Sequence, residues 1–245
     1  MYGAGTSSVE FSAGSVLGRA FSIFGRNFLP FVFLVAIIES PLWVYTWVAI
    51  ESGSITQVYA TIVGLAQFVL GSIATGVVTY GVFQQLRGTP ASIGQCIAVG
   101  LKRLLSVLGV ALLAGLAMVG GFIALVVPGF IILCMLWVAV PVAIVEGVGG
   151  VTALGRSREL TAGHRWSIFG IIILIGLINW ATQWVLQKIF LTDPTMSAIR
   201  TFLFVNLAIS VVFSALSAVA GAVAYHDLRV AKEGVQTEDL ARVFD

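Results

Sequence analysis

Glu39 is a carboxylate in the middle of an apolar stretch that runs from Phe28 to Ile50, immediately before Ser40-Pro41. An ionisable group inside hydrocarbon is costly, so Glu39 points to a proton, cation or polar-headgroup site. Four amides in other apolar stretches could meet it: Gln67, Asn179, Gln183 and Asn206. The competing reading is a hydrogen-bonded carboxyl that only locks helices together. Pro41, beside it, and Pro141, in a later stretch, remove backbone donors. Each predicts a kink whose freed carbonyl must find a partner.

Other chemistry is hard to find. The two histidines, His164 and His226, fit neither a metal-ligand spacing nor a visible Ser-His-Asp arrangement. There is no glycine-rich phosphate loop. The expectation is therefore a non-enzymatic protein without metal or cofactor. Glu146 closes an apolar stretch at an edge that water can reach, which predicts a structural role. Arg156, Arg158, Glu159, His164 and Arg165 form a polar cluster, either an ordinary solvated loop or a surface for lipid phosphates. Cys96 falls in a basic segment and Cys134 deep in a hydrophobic run, so two free thiols are expected.

The elements that must position these groups follow from composition. Of 245 residues, 59% are hydrophobic and only 10% charged, with a mean hydropathy of +1.04. An ordinary soluble domain carries about 25% charged residues, and so few charges cannot cover a globule in water. The apolar residues fall in long runs, which predicts helices, since a helix satisfies its own backbone in lipid. The fold class is an all-α integral membrane protein. Its spans are expected at Phe28–Ile50, Val58–Leu86, Leu104–Val127, Phe130–Glu146, Trp166–Phe190 and Ala198–Tyr225. Pro128-Gly129 divides the third from the fourth and predicts a tight reversal.

Six crossings with the N-terminus inside place 11 of the 13 basic residues on the cytoplasmic side, leaving Lys188 and Arg200 outside. That bias predicts a multi-pass inner-membrane protein with both termini in the cytoplasm. Trp43, Tyr45, Trp47 and Tyr59 cluster at the first outer turn, where aromatic rings suit the headgroup level. Met1 to Glu10 lack a basic region, so no cleavable signal peptide is expected. A net charge of +2 gives no reason to expect nucleic acid as a partner.

Each pair of spans follows a short segment of helical period. Ser12–Phe28 places Leu17, Phe21, Phe24 and Phe28 on one face, and Arg19 and Arg26 on the other. Ser7-Ser8-Val9-Glu10 reads as a capping box upstream. A second segment opens at Thr89-Pro90 and carries Lys102 and Arg103; a third, Gly150–Thr161, carries Arg156 and Arg158 and stops at Gly163. Leu17-Gly18-Arg19 matches Leu154-Gly155-Arg156, and Ser22-Ile23-Phe24-Gly25 matches Ser167-Ile168-Phe169-Gly170. The chain thus reads as one membrane domain of three repeats, approximately 7–88, 89–148 and 149–230, each an interfacial amphipathic helix plus a transmembrane hairpin, with a polar tail at 231–245. The six basic residues Arg19, Arg26, Lys102, Arg103, Arg156 and Arg158 are candidates for lipid headgroups, or the short helices are simply connectors.

Small residues mark packing faces. The last span carries Ser210, Ser214, Ala218 and Ala222 at intervals of four, with Ser217 and Gly221 beside them. Such stripes let helices approach closely in lipid and would also suit a second copy or another membrane protein.

Three stretches carry a resemblance: Pro128-Gly129 through Pro141 to Glu146-Gly147; Ala153–Gly163 leading into Trp166; and Tyr225-His226-Asp227-Leu228-Arg229 followed by Glu233-Gly234. Together they resemble the bacterial YciC-like membrane proteins, related to the membrane domain that accompanies some glycerophosphodiester phosphodiesterases. In that family the hydrolase is a separate soluble barrel, which this chain lacks. The resemblance implies a cytoplasmic-membrane bundle and supplies no catalytic residues. Three functions then compete: a protein of lipid or envelope homeostasis with membrane lipids as partners, a transporter or channel with Glu39 in its path, and a membrane scaffold.

Overall fold

The computed structural model describes residues 11–86, 88, 92–192 and 195–234. They form helices α1 (Ala13–Arg26), α2 (Phe28–Glu51), α3 (Gln57–Leu86), α4 (Ile93–Lys102) and α5 (Leu104–Ala124), then α6 (Val126–Leu136), α7 (Ala139–Glu146), α8 (Gly150–Thr161), α9 (Arg165–Phe190) and α10 (Met196–Glu233). No strand occurs among the described residues. Six helical stretches are long and apolar enough to cross a bilayer, with α6 and α7 together making the fourth. This is an all-α, multi-pass membrane protein.

The short helices begin where hydroxyls can cap them. Ser12 Oγ accepts from the Ser15 N–H at 3.2 Å, and Ser92 forms a reciprocal capping box with Gln95. The caps expected at Ser7–Glu10 and Thr89-Pro90 lie outside the described residues. Gly163 follows the end of α8 with a φ of +89°, as its reading as a stop requires.

The third reversal differs from the expectation. The chain turns at Leu125, whose backbone is extended, and Pro128 and Gly129 lie in the first turn of α6. Proline is tolerated there because the first four N–H groups of a helix have no intrahelical acceptor. Gly129 serves packing instead of turning. Its Cα lies 3.1 Å from where a Cβ on Gly121 would stand, so the two glycines bring α5 and α6 together at their crossing.

The fourth span is broken at Trp137-Val138, between α6 and α7. Pro141, in the first turn of α7, has no N–H to donate back across the break. Near the end of α6 the Met135 carbonyl accepts from Ser157 Oγ of α8 at 2.7 Å and from Thr161 Oγ1 at 3.4 Å. Both hydroxyl residues are fully buried. Helix α8 is thus wedged against α5, α6 and α7 and completes the broken span.

Pro41, by contrast, leaves α2 continuous. The carbonyl it orphans, that of Ile37, accepts from Ser40 Oγ at 2.8 Å.

Helices α3 and α10 form the centre of the bundle, with α2, α5, α7 and α9 around them. Burial is densest over Ala74–Phe83 of α3, Ala139–Val145 of α7 and Ala215–Leu228 of α10. The outer faces of α5 and α9 expose Leu105, Leu112, Ile123, Trp180 and Trp184, as faces bathed in lipid should. The short helices pack on longer neighbours or beside the broken span: α4 on α3, α8 on α5 and α7, and α1 on α10. At the opposite end, Tyr45 stacks on Tyr59 at 5.7 Å between ring centres, while Trp43 and Trp47 flank Phe204.

Candidate functional site: a buried carboxyl beside a hydroxyl-lined cavity

Glu39 sits on α2 with its side chain turned into the bundle, 1% exposed. Burial selects one stripe of α2 (Phe31, Leu34, Val35, Glu39, Leu42 and Thr46 are all covered), so the carboxyl occupies a position that apolar residues hold one turn above and below. Gln67 on α3 donates from Nε2 to Glu39 Oε2 at 3.3 Å and stands 3.2 Å from Ser210 Oγ on α10. Ser210 in turn donates to the Leu207 carbonyl at 2.8 Å. The Ser214 hydroxyl lies alongside the carboxyl, yet Glu39 Oε1 has no hydrogen-bond partner among the described residues.

An open polar oxygen so deeply buried is expensive, costing about 1–3 kcal/mol even for a neutral group and more for a charged one. The arrangement can hold a proton, a cation or a donor-bearing group on that oxygen.

Next to this cluster is a cavity of about 410 Å³ between α3, α5, α7 and α10. Its walls include Gln67 and Ser214, the two polar neighbours of Glu39, and continue with Ser72, Thr75 and Ser217. A second groove of about 410 Å³, between α3 and α5, is lined almost wholly by apolar residues. The two share Phe68, Ala111 and Met118, so the polar cavity adjoins a greasy cleft. Each volume lies in the range of small-molecule sites, roughly 300–1,000 Å³.

The amides expected near Glu39 divide. Gln67 reaches it. Gln183 and Asn206 pair with each other, Asn206 Nδ2 donating to Gln183 Oε1 at 2.6 Å, and no hydrogen bond joins Asn179 to either pair. Ser210 and Ser214, read from sequence as packing residues, supply the polar surroundings instead. Ala218 and Ala222 are buried on the same helix, and Gly221 stands close to Pro141.

The basic residues divide as well. Arg19 pairs with Asp227 on α10, whose other oxygen lies 3.1 Å from His226 Nδ1. Arg156 is bound to Glu146 at 3.2 Å and to Glu233, and Tyr225 donates to Glu146 at 3.0 Å. Arg229 closes the group, reaching Glu233 at 2.8 Å. Arg103 donates to the Ala143 carbonyl at 3.2 Å, one of the free acceptors at the end of α7. Arg26, Lys102 and Arg158 are exposed and make no ion pair or side-chain hydrogen bond among the described residues.

Asp227 was invisible as a partner because nothing local in the sequence links it to Arg19. The only signal was an acid and a histidine side by side at the end of a long apolar run.

Among the described residues, no group of histidine, cysteine or acidic side chains could hold a metal ion. Both cysteines are buried and free. No protein-family model, curated protein or solved structure matches this chain.

Proposed function

We propose that this is a non-enzymatic membrane protein that takes a polar, hydrogen-bond-donating or cationic group into the bundle at Glu39. One observation carries the reading: a fully buried carboxyl with a bare oxygen, set behind the Gln67 and Ser214 walls of a hydroxyl-lined cavity. The adjoining α3–α5 cleft supports entry from the lipid phase by a ligand with an apolar body. A transporter and a lipid-handling protein would both use such a site. The likeness to YciC-like proteins fits either, since it brings a cytoplasmic-membrane bundle without a hydrolase.

The test is Glu39→Gln in reconstituted vesicles. Glutamine keeps the size and the contact with Gln67 but removes the charge. Binding or flux of small organic amines should fall by at least tenfold while the thermal transition is retained. Equal uptake by both proteins would sink the proposal.

A second reading rests on Arg26, Lys102 and Arg158, the three headgroup candidates left unpaired. Their side chains suit anionic headgroups at the basic end of the bundle. Reversing all three to Glu should weaken partition into anionic vesicles if they serve there.

A further inference from the structure

A separate pocket lies where α8 turns into α9. It measures about 390 Å³ and is bounded by Val127, Phe130 and Ile131 of α6 and by Arg165, Trp166 and Phe169 of α9. Phe130 and Phe169 meet edge to face at 5.6 Å between ring centres, and Trp166 meets Phe169 at 6.1 Å, so one wall is aromatic. Trp166 is 85% exposed, and Val127 and Ile131 are exposed beside it. In a membrane protein this face is wetted by lipid.

One polar group breaks the apolar lining. Arg165 Nε is buried and has no hydrogen-bond partner among the described residues. Arg156 is held by Glu146 and Glu233 and Lys232 by the Glu159 carbonyl, while Arg158 is exposed. Among the described residues, no acidic side chain forms an ion pair with Arg165. A guanidinium in an apolar setting binds phosphate well, because its fork of N–H donors matches the oxygens and it is weakly hydrated.

We infer that this pocket is a binding site for an anionic phospholipid, with the phosphate on the Arg165 guanidinium and one acyl chain along Phe130, Ile131 and Phe169. The occupant follows from the two halves of the site. The apolar wall selects an acyl chain, and the unpartnered guanidinium selects a negative headgroup over a zwitterionic one. Basic pockets between transmembrane helices hold acidic lipids in this manner. The inference is independent of the Glu39 site, which lies in a different cleft.

Trp166 provides the readout. The full-length protein is reconstituted in phosphatidylcholine vesicles, and phosphatidylglycerol or phosphatidylcholine with brominated acyl chains is added in steps. Quenching assigned to Trp166 is the difference between the native chain and Trp166→Phe. The expected result is half-maximal quenching by the brominated anionic lipid at a mole fraction at least fivefold lower than by the zwitterionic one. Arg165→Gln should abolish that preference and Arg165→Lys should keep part of it. Ile131→Phe, which leaves the charge and narrows the groove, should weaken quenching by the anionic lipid. Equal quenching by the two lipids, an Arg165→Gln protein that keeps its preference, or quenching by brominated fatty acid alone would overturn the inference. Should Arg165→Gln fail to fold, the Ile131→Phe comparison decides by itself.

Discussion

Arg19 on the first helix pairs with Asp227 on the last, 208 positions away. The Asp227 side chain is only 3% exposed, while that of Arg19 is 44% exposed. Removing the arginine therefore strands a buried carboxylate, whereas removing the acid releases a cation that water can reach. Arg19→Ala should destabilise the protein by about 1–3 kcal/mol, a range that already allows for solvent screening on the arginine side. Asp227→Asn should cost less, and Arg19→Ala combined with Asp227→Asn should recover part of the loss. Thermal unfolding of the four proteins in detergent gives the coupling directly. A double variant no better than Arg19→Ala would mean that the pair does not act as a pair.

The hydroxyls of α8 complete the broken fourth span, and this too can be measured. Ser157→Ala removes the 2.7 Å bond to the Met135 carbonyl, but Thr161 stands near enough to take over. A loss of about 1 kcal/mol is expected for the single change and roughly 2–3 kcal/mol when Thr161→Val is added. Additive or smaller effects would show that the two hydroxyls do not back each other up.

The spans were largely legible because hydropathy measures the property that lipid selects. Five of the six agree with the expected positions to within four residues at either end. The sixth does not, since α10 runs on from Tyr225 to Glu233. Hydropathy reports where apolar character stops, and the helix continues beyond that point on polar i,i+4 contacts, Tyr225 with Arg229 and Arg229 with Glu233. At 38 residues α10 is about 57 Å long, nearly twice the thickness of the hydrocarbon core. Glu39 could be singled out from sequence because its surroundings are local and apolar. Its neighbours could not, because Gln67 and Ser214 are brought to it by the packing of α3 and α10, and three alternative amides looked as suitable as Gln67. The ion pairs of the basic residues were hidden for the same reason: Arg19 and Arg156 meet Asp227 and Glu233, which lie far from them in the sequence.

The crossing of α5 and α6 offers a steric test. A Cβ on Gly129 of α6 would stand 2.4 Å from the Phe122 ring of α5, whereas one on Gly109, also of α5, would meet nothing within 4 Å. Gly129→Ala should therefore cost roughly 1–3 kcal/mol through overpacking. Gly109→Ala should be neutral or stabilising by up to about 1 kcal/mol, because glycine is a poor helix former. Comparable losses at both positions would contradict the crossing.

Acid should weaken the fold through His164. Partial burial, and then the nearby positive charge of Lys232, hold its pKa below the ordinary value of 6.5, and its ring lies 5.1 Å from that of Phe11. The unfolded chain takes up a proton as the pH falls through about 6.5, while the folded chain does so only at lower pH. Between those two values unfolding binds the extra proton, so stability drops on acidification and is flat above the window. His164→Gln should remove that part of the slope. The measurement is the melting temperature of both proteins from pH 7.5 to 5.0, and parallel curves would rule His164 out as the cause.

The last prediction concerns which end faces the cytoplasm. The end of the bundle where α1, α4 and α8 finish and α9 begins carries Arg26, Lys102, Arg103, His164 and Arg165, while the opposite end carries the loose pair Arg200 and Glu51 at 3.9 Å. Basic loops resist translocation, so the first end should be inside. A cysteine at Ser54, between α2 and α3, should react with a membrane-impermeant maleimide on intact cells, and a cysteine at Lys102 should react only after the cells are opened. Background should be low because Cys96 and Cys134 are buried. Burial also holds the Cys96 thiol above its usual pKa, which keeps it in its unreactive protonated form. Labelling of the Lys102 position from outside would invert the protein in its membrane. It would also remove the contact with cytoplasmic anionic lipid that the unpaired arginines and lysine are suited to make.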